Sequence, residues 1–212
     1  MIEGAVPLMQ VAKDYLREAE ALNPGPWVRH VEFVALAARV IAERDPRVDP
    51  ERAFVLGLLH DIGRRTGGPN VPDVRHLLDG FAFMRAEGFE ACARICLTHS
   101  FPSPVKDVGA LASAWDCSIE ERDFVQSYLN ASEYSAYDRL IQLCDALAQP
   151  TGFCLIEKRL VEVALRYGIN DLTLAKWRAY LGLRKEFDEA TGTSIYRLLP
   201  GILENTFGFR SP

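Results

Sequence analysis

Apolar residues return every three or four positions along almost the whole chain, and that periodicity restricts it to helices packed on helices. Leu8, Val11, Ala12, Tyr15 and Leu16 form a first stripe. Trp27, His30, Val31, Val34, Ala38 and Ile41 form a second, which ends before Asp45-Pro46. Asp49-Pro50-Glu51 supplies a capping side chain, a proline at the first helical position and an acid in the first turn, so a helix begins there. It is expected to run to His60-Asp61 and to stop near Gly63, a residue suited to a left-handed cap. Glycine and proline make 66–72 a loop, helices are expected over about 73–87 and 90–99, and Gly88 separates them. Pro102 and Pro104 mark another loop, and Ser118 with Glu121 has capping-box spacing. Further helical patterns cover about 136–148, 153–167, 172–190 and 195–206. No Val/Ile/Thr-rich alternation stands out, so sheet should be negligible. The expectation is one all-α domain over 1–212, with a helical C-terminal extension over 151–212.

Composition narrows the function classes. The 212 residues are 49% hydrophobic and 25% charged, an ordinary globular balance. No apolar run reaches the roughly 18 residues of a membrane span, and the N-terminal residues lack the basic start of a signal peptide. A cytoplasmic protein with no membrane partner is expected. A net charge of −5 argues against extended nucleic acid as a partner, but not against a small anionic substrate. The five cysteines (92, 96, 117, 144 and 154) lie in apolar segments and are expected to be small buried hydrophobes rather than a disulfide framework. Oligomeric state is not legible.

The four histidines carry the chemical signal. His30 lies on the stripe of Trp27, Val31 and Val34; His60 follows Leu56 and Leu59; His99 continues Cys92, Ile95 and Cys96; His76 has Gly80 and Phe83 on its face. One histidine on an apolar face is usually a satisfied core residue. Inward carboxylates are harder to excuse, because a buried carboxylate needs a cation or must take up a proton. Asp61 beside His60, and Asp145 on the stripe of Ile141 and Ala148, have no obvious in-helix basic partner, and a shared metal would satisfy carboxylates and imidazoles together. Cys92, Cys96 and His99 could suggest a zinc site, but a fourth ligand is missing nearby and the spacing is also that of a helix core. Trp177, Tyr180, Leu181 and Phe187 are expected to pack the late helices.

The order His30, His60-Asp61, Asp145 resembles the H…HD…D signature of the HD superfamily, and Leu58-Leu59-His60-Asp61-Ile62-Gly63 resembles its central motif. The likeness spans roughly 27–150 and implies an HD-domain helical bundle with additional C-terminal helices. It implies His30, His60, Asp61 and Asp145 as metal ligands, with His60 and Asp61 at the heart of catalysis. Dinuclear members, including YqeK-type nucleotide hydrolases, carry two more histidines in the interval that His76 and His99 occupy here. The resemblance therefore implies two divalent ions, iron first, with manganese, cobalt or nickel as alternatives.

Four neutral imidazoles and two carboxylates carry two negative charges against four positive ones from two divalent ions, so a bridging hydroxide would leave the site slightly positive. Metals about 3.5–4 Å apart can activate that hydroxide and stabilise charge on phosphorus. The expected activity is hydrolysis of a phosphate ester or anhydride of a small molecule, a nucleotide foremost. Arg64 and Arg65 follow the motif where many family members place a phosphate-binding lysine, and are candidate substrate contacts; a pair of helix-terminal cations is the plainer alternative. Ligands alone do not separate this hydrolase from an HD-type di-iron oxygenase or from a noncatalytic regulatory module.

Overall fold

A computed structural model describes residues 4–67, 75–109 and 117–209. Ten helices account for nearly all the regular structure of these residues: α1 Met9–Leu22, α2 Pro26–Ala42, α3 Pro50–Leu59, α4 His76–Ala86, α5 Glu90–Thr98, α6 Ile119–Ala131, α7 Ala136–Asp145, α8 Ile156–Tyr167, α9 Thr173–Thr191 and α10 Ile202–Phe207. The fold is all-α, as the periodicity requires. Most of the loop read at 66–72 lies outside the described residues.

The start signals act as expected. Asp49 accepts from the Arg52 amide at 2.7 Å, with Pro50 at the first helical position of α3. Ser118 and Glu121 form the capping box of α6. A second box, Ser135 with Asp138, opens α7. Gly88 breaks α4 from α5 at φ +82. In α1 the buried residues are Ala12, Leu16 and Ala19, while Leu8 and Val11 at the head of the proposed stripe are exposed. The helix read over 136–148 stops at Asp145. There the chain turns into a two-stranded antiparallel ribbon, β1 Ala148–Gln149 and β2 Gly152–Phe153, with Ala148 opposite Phe153. Pro150 lacks an amide for a continuing helix, and Gly152 sits at φ +143, so the turn has a local cause.

Small residues set how closely the helices approach. A Cβ on Gly57 of α3 would lie 2.9 Å from the Ala35 Cα of α2, so these two helices meet backbone to backbone. Gly63 does not act as a left-handed cap, since its φ is not positive. After α3 the chain enters a 3₁₀ helix, Ile62–Thr66, and a Cβ on Gly63 would sit 2.0 Å from the His76 carbonyl oxygen and 2.4 Å from the Gly80 nitrogen. Glycine is needed there for contact with α4. Gly80 repeats the device against Cys96 of α5, where a Cβ would meet the sulfur at 2.9 Å.

The core runs from Ala12 to Ile202 and includes Tyr180, Leu183 and Phe187 of α9. Leu181 is exposed rather than packed, and Trp177 is half-buried. Cys92, Cys96, Cys144 and Cys154 are free and buried, and Cys117 is only half-buried. Burial pushes the Cys92 thiol up to about 12 and the Cys96 thiol well above its usual range, so both are inert core groups.

Candidate metal centre

Each candidate ligand stands where a helix begins, ends or faces inward. His30 lies within α2, His60 follows the last residue of α3, Asp61 precedes the 3₁₀ helix, His76 opens α4, His99 follows α5 and Asp145 closes α7. The close approaches at Gly57, Gly63 and Gly80 draw these ends together. Helix α7 is fixed by its buried Asp138, which accepts from Arg94 of α5 at 3.0 Å and from the Thr98 hydroxyl at 2.8 Å. Gln142 adds donations to the carbonyls of Thr98 at 2.9 Å and Phe101 at 3.2 Å. Helix α7, which ends in Asp145, is thereby tied to α5 and the segment that follows it.

The four imidazoles form one continuous row. Ring centroids are 5.4 Å apart for His30 and His60, 4.9 Å for His60 and His99, and 5.8 Å for His99 and His76. Two buried groups of three have ligand atoms within 4.8 Å of one another: His30, His60 and Asp61, and Asp61, His76 and His99. Asp61 belongs to both. Its Oδ1 is 3.0 Å from His76 Nε2 and 3.4 Å from His99 Nε2, and its Oδ2 is 3.9 Å from His60 Nε2. Asp145 Oδ1 lies 3.0 Å from His30 Nε2, at the outer end of the row.

Proton positions test whether these groups suit a cation. His60 Nδ1–H donates to the Gly57 carbonyl at 2.7 Å, and His99 Nδ1–H to that of Ile95 at 3.1 Å. A carbonyl only accepts, so Nδ1 carries the proton in both rings. Burial lowers His60 to about 4, against a smaller opposing pull from Asp61, so the ring is neutral at pH 7 and its Nε2 is a bare lone pair. That buried Nε2 has no hydrogen-bond partner. Buried lone pairs turned toward carboxylate oxygens fit a divalent cation. Backbone carbonyls fixing the far ring nitrogens are the usual support for such ligands.

Both carboxylates stay ionised. Burial raises Asp61, but the charges of Arg64, His76 and His60 outweigh it and hold the group well below the usual range. Asp145 is likewise raised by burial and lowered further by its bond to His30, by the charges of His30 and His60, and by Arg159. Helix α3 offers Asp61 no basic partner, but from the 3₁₀ turn that follows, Arg64 Nε donates to its Oδ2 at 2.5 Å. Arg65 does not share that position. It pairs with Glu18 at 2.5 Å and lies 4.1 Å over the Phe83 ring, between α1 and α4.

Two cations near the site had no motif to announce them. Arg159 of α8 places its guanidinium 3.9 Å from Asp145 Oδ1. Lys176 stands on α9, which packs on α7, and burial pushes its ammonium down to about 8 against the opposing charge of Asp145. Arg159 leaves no sequence signal. Lys176 does, because it shares the inward register of Tyr180, Leu183 and Phe187.

A family model, the HD domain, matches residues 27–149. Among solved structures, the chain is similar to the HD domain of the L. monocytogenes phosphodiesterase PgpH in complex with cyclic-di-AMP. Identity is 18% and the TM-score 0.48, covering 94% of this chain and 99% of that one. A second structure of that HD domain gives 17% identity and a TM-score of 0.45, covering 79% and 94%. No curated protein matches the chain.

Proposed function

The chain belongs to the HD domain family, and from that premise we propose that it is a metal-dependent phosphohydrolase with two metal positions. It cleaves a phosphate ester or anhydride of a small molecule, a nucleotide being the expected class. The carrying observation is the pair of buried ligand groups that share Asp61. His30, His60, Asp61 and Asp145 would hold the first ion, and His76 and His99 with Asp61 would hold the second. Iron is the expected metal, with manganese, cobalt or nickel as alternatives. When bound, such ions activate water and draw charge from a phosphoryl oxygen.

The residues around that centre do the rest. Gly57 and Ile95 carbonyls fix the His60 and His99 rings with their Nε2 lone pairs inward. Arg64 orients Asp61 and offsets its charge. The site opens on one side, since the Asp145 side chain is 20% exposed against 5% for Asp61. A phosphate group therefore approaches along the rim formed by Asp145 and Arg64. The test is phosphate release from nucleotides and simple esters under anaerobic conditions. Release that disappears in Asp61→Ala supports the reading; substrate turnover that strictly requires oxygen and releases no phosphate refutes it.

A further inference from the structure

We propose that Arg159 of α8 and Lys176 of α9, both beyond the family match, form the seat for the substrate's phosphate on the Asp145 side of the metal centre. The proposal deepens the phosphohydrolase reading and rests on it. Arg159 is half-buried, with a side chain 17% exposed. A guanidinium there normally spends its five donors on close acceptors. Here the nearest carboxylate oxygens are Asp145 Oδ1 at 3.9 Å and Glu162 Oε2 at 4.0 Å, both beyond hydrogen-bond reach. Its side chain makes no hydrogen bond among the described residues. Arg64 is different, clasping Asp61 at 2.5 Å, and Arg65 is committed to Glu18.

Lys176 supplies a second cation from α9, the helix packed on α7. It lies one turn before buried Tyr180 on the face of α9 that packs on α7, and its ammonium has no ion pair among the described residues. Burial lowers it to about 8, partly offset by Asp145, so it remains charged at pH 7. A metal bound to Asp145 would draw off most of the negative charge that now faces these cations. With a metal bound there, the carboxylate left to Arg159 is Glu162 at 4.0 Å, too far for a hydrogen bond. A tetrahedral phosphate supplies several acceptor oxygens, and a guanidinium grips two of them in parallel.

The test is calorimetric titration of metal-loaded protein with inorganic phosphate, alongside metal analysis, thermal melting and steady-state kinetics on a phosphate ester. Arg159→Ala and Lys176→Met, on different helices, are each expected to weaken phosphate binding at least about tenfold. Metal content should be unchanged, and KM should rise more than kcat falls. Arg159→Lys should recover part of the affinity, since charge survives but the fork does not. If the variants bind phosphate as tightly as wild type, the proposal fails while the hydrolase reading stands. Metal loss in Arg159→Ala would make that residue a support for Asp145 and also overturn it. A wild-type protein that neither binds phosphate nor releases it from esters would remove the hydrolase reading, and this proposal with it.

Discussion

The side chains of the centre were legible because the chain has four histidines and all of them fall on inward positions in the order of a known signature. The partner of Asp61 was not. The expected helix stops near Gly63 and so leaves Arg64 unplaced, whereas the chain continues as a 3₁₀ turn over 62–66, in which residues three apart eclipse one another and Arg64 falls over Asp61. Arg64→Ala removes the group that clasps Asp61 and is expected to lower kcat/KM by about ten- to a hundredfold. Arg65→Ala should leave it within about twofold, and its loss should appear as a stability change of about 1 kcal/mol, because its partners are Glu18 and Phe83. Steady-state kinetics and melting of the two variants check this; equal kinetic losses would contradict the distinction. Burial of His60 also has a pH consequence. Its ordinary value of 6.5 falls to about 4 in the fold, so the unfolded chain takes up a proton that the folded chain refuses. Its contribution to stability is complete above pH 6.5 and is lost as pH falls toward 4, about 3 kcal/mol in all. Urea titrations of metal-free protein between these limits should show that loss, and it should vanish in His60→Gln.

Helices were legible where local chemistry defines them: the caps at Asp49 and Ser118, the break at Gly88. Two boundaries were not. Helix α7 ends three residues before the expected 148, where Pro150 and Gly152 turn the chain into the ribbon. Gly63, expected as a local cap, is required instead by α4, a neighbour that no local pattern reveals. The tertiary explanation makes a sharper prediction. In Gly63→Ala the new methyl meets backbone atoms of His76 and Gly80, which cannot rotate away. The 3₁₀ turn and α4 must separate, costing about 1–3 kcal/mol. Because His76 opens α4, the variant should also lose metal at the second position before the first. A Gly63→Ala protein with wild-type melting and full metal content would refute this reading of the motif's glycine.

Across the whole molecule, the resemblance ended near residue 150, so the part played by the late helices was the least legible. Tyr180, Leu183, Phe187 and Ile202 share the core with α2, α3 and α7. Glu186 of α9 accepts from Arg47 at 2.9 Å and from Arg139 at 3.1 Å. From these contacts we propose that 27–150 and 151–212 unfold together, so calorimetry should give one transition, and two separated transitions would contradict it. The central claim is that Asp61 is shared by two metal positions that hydrolyse phosphate. It is tested most directly by counting metal ions per chain under anaerobic conditions, in wild type, Asp61→Ala and the double variant His76→Ala/His99→Ala, with phosphate release measured on the same samples. The account predicts about two ions and oxygen-independent release in wild type, fewer than one ion and no release in Asp61→Ala, and one ion in the double variant. One ion in wild type, unchanged in the double variant, or two ions retained by Asp61→Ala, would contradict it.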